Sequence, residues 1–210
     1  MTWSQACLLA ALLWAVGGLA TVWLRGRRWP APSAFAETRG SAAAAIRYEL
    51  STAFLPWAKE SARMHLPTYL AGVVLHLAVF ATLLLAVSTL VPGSGAALPT
   101  LRPAFLVLLP LGLIAGLSLL AKRISLGRMR GLSVPEDYLA NLLANVVVAA
   151  GILVLFRPDW LAALHLTAAA LCLYLPVGKL RHVIFLFLAR LHLGRMLGRR
   201  GVLPPVAGAR

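Results

Sequence analysis

Five apolar runs, roughly 3–24, 67–91, 104–121, 137–156 and 160–188, limit what this chain can become. Each of the first four is about the 17–25 residues that a helix needs to cross the hydrocarbon core of a bilayer. In that medium each backbone N–H and C=O must be bonded within the segment itself, so runs of this length fold as helices. The remaining residues offer little to a water-soluble surface. Only six of 210 residues are acidic and 12% are charged, where a soluble domain charges about a quarter of its residues. The expectation is an all-α integral membrane protein, a single domain over 1–210 built as a bundle of five transmembrane helices.

A net charge of +14 in a soluble protein points to nucleic acid, but the positions of these charges exclude that reading. Segment 25–65 carries Arg25, Arg27, Arg28, Arg39, Arg47, Lys59 and Arg63, and loop 122–136 carries Lys122, Arg123, Arg128 and Arg130. The end of the chain carries Lys179, Arg181, Arg190, Arg195, Arg199, Arg200 and Arg210, whereas the other two connections hold only Arg102 and Arg157. Basic loops stay on the cytoplasmic side. The alternation therefore predicts the N-terminus outside, the C-terminus inside, a cytoplasmic loop 25–65 and a basic cytoplasmic tail 189–210, in the inner (cytoplasmic) membrane. In the first run the charges follow the apolar stretch, the reverse of a signal peptide, so it reads as a retained span.

The connections carry local signals. Residues 41–57 (SAAAAIRYELSTAFLPW) predict a short interfacial helix with Tyr48 and Trp57 in the headgroup layer. Residues 92–103 read as a turn-forming linker. Asp159 is placed to cap the fifth helix, and the short link 157–160 makes helices four and five antiparallel neighbours. Gly112 and Gly116 form a small-xxx-small face for close helix contact. Asn141 and Asn145, one turn apart, read as a bond to a neighbouring helix ahead of a quinone contact. Cys7 and Cys172, with no CxxC pair or disulfide framework, read as apolar packing residues.

No Asp, Glu, Lys or Arg sits in the middle of a run, which argues against an ion-coupled transporter. Histidine is the exception. His76 lies well inside the second run, His165 near the outer end of the fifth and His182 near its inner end. His65 stands at the inner edge of the second run, and His192 among the arginines of the tail. A bis-histidine haem b needs one imidazole above the iron and one below, from different helices. Gly72 precedes His76 by four residues and Gly178 precedes His182 by four. On a helix each glycine would leave a gap one turn below its imidazole, where a flat ring fits. Ala168, Ala169 and Ala170 offer a similar small face after His165. There is no CxxCH, so covalent attachment is excluded. The bland alternative is a hydrogen-bonded packing histidine. His65 fits either an interface residue or a ligand, and His192 fits a headgroup contact.

These residues carry a resemblance. The run Leu173-Tyr174-Leu175-Pro176-Val177-Gly178-Lys179-Leu180-Arg181-His182 resembles the end of the last helix of the respiratory nitrate reductase gamma subunit. That subunit and its relatives are membrane cytochromes b, often paired with heterodisulfide-reductase-like iron–sulfur proteins. Leu164-His165-Leu166 and Val74-Leu75-His76-Leu77 are similar to other ligand segments of the family, and Arg128–Ser133 with Asp137 is similar to its loop before the fourth helix. The likeness covers most of 67–190. It implies five helices, N-terminus out, with two haems stacked across the membrane between helices two and five. His76 and His182 would then hold the cytoplasmic-side haem and His165 the outer one. The family's second helix-two histidine is missing, since that region reads Ala86-Val87-Ser88.

Two arrangements answer that gap. In one, a single haem lies between His76 and His182, and His165 packs or touches quinone. In the other, His65 pairs with His182 and His76 with His165. Either way, the resemblance implies an electron-transfer subunit passing electrons between a quinone, menaquinone or ubiquinone, and a cytoplasmic iron–sulfur partner, because the chain has no cysteine set for a cluster of its own. The tail from Arg190 to Arg200 fits docking of that partner or binding of membrane lipid. The competing expectation is a non-redox structural or assembly subunit whose histidines only pack.

Overall fold

Helix is the only regular structure among the described residues, which are 1–29, 37–58, 60–93 and 98–204 of this computed structural model. The expectations for Lys59, Arg210 and segments 30–36, 94–97 and 205–210 lie outside them. The helices are α1 (Trp3–Gly26), α2 (Ala42–Leu50), α3 (Glu60–Met64), α4 (Leu66–Ser88), α5 (Leu98–Ser125), α6 (Gly127–Gly131), α7 (Pro135–Phe156), α8 (Leu161–Tyr174) and α9 (His182–Arg199). Four of them, α1, α4, α5 and α7, are long and apolar enough to cross a membrane. A fifth span exists only if Pro158–Tyr174 and Lys179–Arg199 count as one.

That break departs from the expected helix over 160–188. The cause is local: Pro176 lacks the N–H that a continuing helix needs, and Gly178 follows it. The N–H groups of Val177 and Gly178 both turn back to the Tyr174 carbonyl, at 3.2 and 2.8 Å. Asp159 does not cap the helix either. It sits in a 3-10 turn, Pro158–Trp160, and faces Arg157 at 3.7 Å, while Trp160 occupies the cap position with no side-chain bond. The linker expected over 92–103 is helical from Leu98, so α5 begins earlier than its apolar run.

The chain divides into two compact units, one of Met1–Gly18 with Pro67–Leu180 and one of Leu19–Leu66 with Arg181–Arg210. In the first unit the helices meet through small residues. A Cβ on Gly112 would collide with Ala78 of α4, and one on Gly116 with the Asn145 side chain of α7. On Gly151 of α7 it would lie 2.7 Å from Thr82 Cγ2 of α4. These contacts bring α4, α5 and α7 to near backbone distance, as the Gly112–Gly116 pair predicts. The Asn145 amide donates to Asn141 O at 2.9 Å and to Asn141 Oδ1 at 2.6 Å, while its own oxygen lies against Gly116.

Along a second seam, Ser4, Leu8, Ala11, Ala15 and Gly18 of α1 recur at alternating spacings of four and three and meet α8. Ser4 meets His165 near the start of α8, and Gly18 meets Pro176 beyond its end, so the two helices run parallel. Cys172 is buried in this seam beside Ala169, but Cys7 is exposed, because it lies off the α1 stripe.

In the second unit α2 and α9 form an antiparallel pair. Ser41 caps α2, accepting from Ala44 N–H at 3.3 Å. Gly194 lies against Ile46, and Gly198 against Ala42 and Ala45. One step further along the same face, Arg190 Nη1 reaches Glu49 Oε2 at 2.5 Å, with the side chains only 12% and 9% exposed. Arg190 also lies over the Phe54 ring at 5.0 Å. Removing one member of a pair this buried costs about 3–5 kcal/mol, because the other charge is left uncompensated. The C-terminal carbonyl of α9, on Arg199, accepts from Arg39 and Gly40 N–H at 2.8 and 3.2 Å.

Gly116→Val is expected to lower stability by about 1–3 kcal/mol, the usual cost of overpacking. The thermal unfolding midpoint of detergent-solubilised protein reads this directly. Gly17→Ala, where a Cβ meets nothing within 4 Å, is expected to leave the midpoint unchanged.

Candidate functional site

His76 stands near the middle of the 23-residue α4, on its exposed face. Leu70, Val73, Leu77, Phe80 and Leu84 are exposed on the same helix, and the Phe80 ring centroid is 6.3 Å from that of His76. Nδ1 of His76 lies 2.6 Å from the Gly72 carbonyl. A carbonyl can only accept, so Nδ1 carries the proton and Nε2 the lone pair, the tautomer in which imidazole ligates a metal through Nε2. Nothing lies within 4 Å of a Cβ built on Gly72. A side chain there would meet open space beside the exposed face of α4.

His182 is the first residue of α9 and is exposed. It belongs to the second unit, and His76 to the first. The gap expected at Gly178 is filled by the Tyr174 ring, against which any Cβ would collide. The break in the helix causes this, since Gly178 is folded back over Tyr174 and not stacked one turn before His182. His65 is exposed between α3 and α4, and His192 is exposed on α9.

His165 is placed differently from the other four. It is fully buried, with Ser4 Oγ 3.0 Å from Nδ1 and Thr89 Oγ1 2.7 Å from Nε2. Proton counting orders this cluster. The Thr89 hydroxyl donates its one proton to Ala86 O at 2.6 Å, so it accepts from Nε2–H. Nδ1 then accepts from the Ser4 hydroxyl, which in turn accepts from Thr2 Oγ1 at 3.2 Å. Gln5 closes the cluster by donating to the Thr89 carbonyl at 2.9 Å. Both ring nitrogens are thus committed, to Ser4 of α1 and to Thr89 just past the end of α4. The small face after His165 is also occupied, because Ala168 and Ala169 are buried in helix seams. Coordination by His165 would require breaking these bonds.

At the other end of the first unit, Asp137 gathers two charges from basic segments far apart in the sequence. Lys179 Nζ reaches its carboxylate at 2.6 Å and Arg123 Nη1 at 3.4 Å, while Val134 N–H donates to it at 3.0 Å. Lys122 Nζ donates to Thr68 Oγ1 at 2.6 Å, tying the end of α5 to the start of α4. Lys179 stands three residues before His182, so the ion pair anchors the chain that leads into α9. Sequence reasoning missed Ser4, Thr89 and the Asp137–Lys179 pair. The available signal was that hydroxyl residues at run ends, and one acid facing many bases, need partners.

No protein-family model, curated protein sequence or solved structure matches this chain. Function is therefore argued from these residues.

Thr89→Val removes the acceptor of a buried N–H and is expected to cost about 1–3 kcal/mol, with Thr89→Ser restoring most of it. Denaturation of the solubilised protein, followed by helical circular dichroism, measures both.

Proposed function

We propose that this chain is a haem b subunit of a quinone-linked electron-transfer complex in the cytoplasmic membrane. One observation carries the reading. A mid-span imidazole on an exposed helix face is expensive against hydrocarbon and marks a surface that meets something other than lipid. His76 is such an imidazole. It is held by the Gly72 carbonyl in the ligating tautomer, and a Cβ on Gly72 would meet open space.

These features fit an axial ligand. His182 is proposed as the second ligand, from its place in the Pro-x-x-Lys-Leu-x-His segment. When bound, haem supplies one-electron redox chemistry, and the protein tunes it through ligands and burial. The chain's own residues do the rest. Gly72 O holds the His76 ring, and the Lys179–Asp137 pair fixes the chain entering α9. His165 already spends both nitrogens on Ser4 and Thr89, which counts against the arrangement that pairs it with His76 on a second haem. His65, exposed and outside the span, reads as an interface residue.

Electrons would pass between a membrane quinone and a cytoplasmic iron–sulfur protein. The two cysteines, Cys7 exposed and Cys172 buried, cannot hold a cluster, so the proposal requires that partner.

Protein purified from haem-replete cells is expected to show a dithionite-reducible b-type spectrum with about one haem per chain. His76→Ala and His182→Ala should each abolish it, while His165→Gln should keep the colour and lose stability. Colourless wild-type protein, or colour that survives both alanine substitutions, would instead support a structural subunit whose histidines pack.

A further inference from the structure

The α2–α9 pair sorts the surface of α9 into three stripes. Arg190, Gly194 and Gly198 face α2, where Arg190 is neutralised by Glu49. His192, Arg195 and Arg199 recur at i, i+3 and i+7 and so share a second stripe, and all three are exposed. Leu186, Ala189 and Leu193 form a third stripe, exposed and apolar. Among the described residues neither Arg195 nor Arg199 enters an ion pair. No acidic residue follows Asp159 in the chain, so nothing on α9 itself answers these charges.

From this arrangement we propose that α9 lies along the membrane surface and that its His192–Arg195–Arg199 stripe binds the phosphates of anionic phospholipid headgroups. Three arguments select lipid over an acidic protein. The helix carries too many basic side chains to enter the hydrocarbon core, yet it exposes leucines that water would not favour. A helix with apolar and basic stripes side by side suits the boundary between acyl chain and headgroup, where both are satisfied. Only seven residues, 175–181, separate α9 from the apolar α8, so a chain of at most about 25 Å ties it to the bilayer. The close glycine pairing with α2 makes the stripe rigid, and the Arg190–Glu49 pair leaves Arg195 and Arg199 as the arginines available to phosphate. The proposal does not depend on haem.

The test uses the full chain reconstituted in bilayers of phosphatidylcholine containing spin-labelled phosphatidylglycerol or spin-labelled phosphatidylcholine. The lipid fraction immobilised by the protein gives the preference for the anionic headgroup. Wild type is expected to prefer phosphatidylglycerol, and the preference should fall with added salt. Arg195→Gln with Arg199→Gln is expected to reduce it by about fivefold for each arginine removed. Arg195→Lys with Arg199→Lys keeps the charge and should keep the preference, which separates headgroup binding from misfolding. Equal association of the two lipids with wild type overturns the proposal, as does an unchanged preference in the glutamine variant. Loss of a co-purifying protein with lipid preference intact overturns it too, and assigns the stripe to a protein partner.

Discussion

Helices inside a bilayer gain little by hiding apolar side chains from one another, because lipid tails are as apolar as leucine. What holds this chain together is the close approach that small residues allow. Gly112 against Ala78, Gly116 against Asn145 and Gly151 against Thr82 set α4, α5 and α7 at their spacing. Ala11, Ala15 and Ala169 do the same for α1 and α8. At such distances dispersion contacts multiply along each seam. The second unit uses the same device between α2 and α9, at Gly194 and Gly198.

Polar groups then act at the ends of the seams, where they fix direction and register. One end of the first unit is closed by His165 with Ser4 and Thr89, the other by Asp137 with Lys179 and Arg123. The two clusters differ in kind. The histidine cluster is neutral and fully bonded, with hydroxyl protons running one way from Thr2 to the Ala86 carbonyl. The aspartate cluster is ionic and partly exposed, so water screens it and it contributes less. Both tie together helices that are remote in sequence, in a medium where an unmatched polar group is costly.

This organisation gives the five histidines different chemistry. His165 has its nitrogens committed to the bundle. His76 projects from the bundle at mid-span, in a tautomer set by its own helix. His182 begins α9 just after the Pro176–Gly178 break, His65 is exposed just before α4, and His192 is exposed on α9. The proposed redox role rests on His76 and His182, and the proposed lipid contact includes His192.

The sequence alone determined the helical class, the places of the first, second and fourth long apolar helices to within a few residues and the close contact at Gly112 and Gly116. These follow from local rules: bilayer-length apolar runs must satisfy their own backbone, and a glycine pair one turn apart always makes a low face. It also placed His76 and Gly72 one turn apart on one continuous helix, since spacing within a helix is local. Other features were decided only in three dimensions. Gly178 looked like the twin of Gly72, but the helix ends at Tyr174 and that ring takes the gap. His165 fits either a ligand or a packing residue by sequence, and only the fold brings Ser4 of α1 and Thr89, just past α4, to its two nitrogens. Arg190 looked like part of an open basic tail until Glu49, more than a hundred residues earlier, met it across α2 and α9. Spacing along a helix is set by its 3.6-residue turn and can be read directly. Which partner crosses from another helix depends on how helices pack, and no local pattern encodes that.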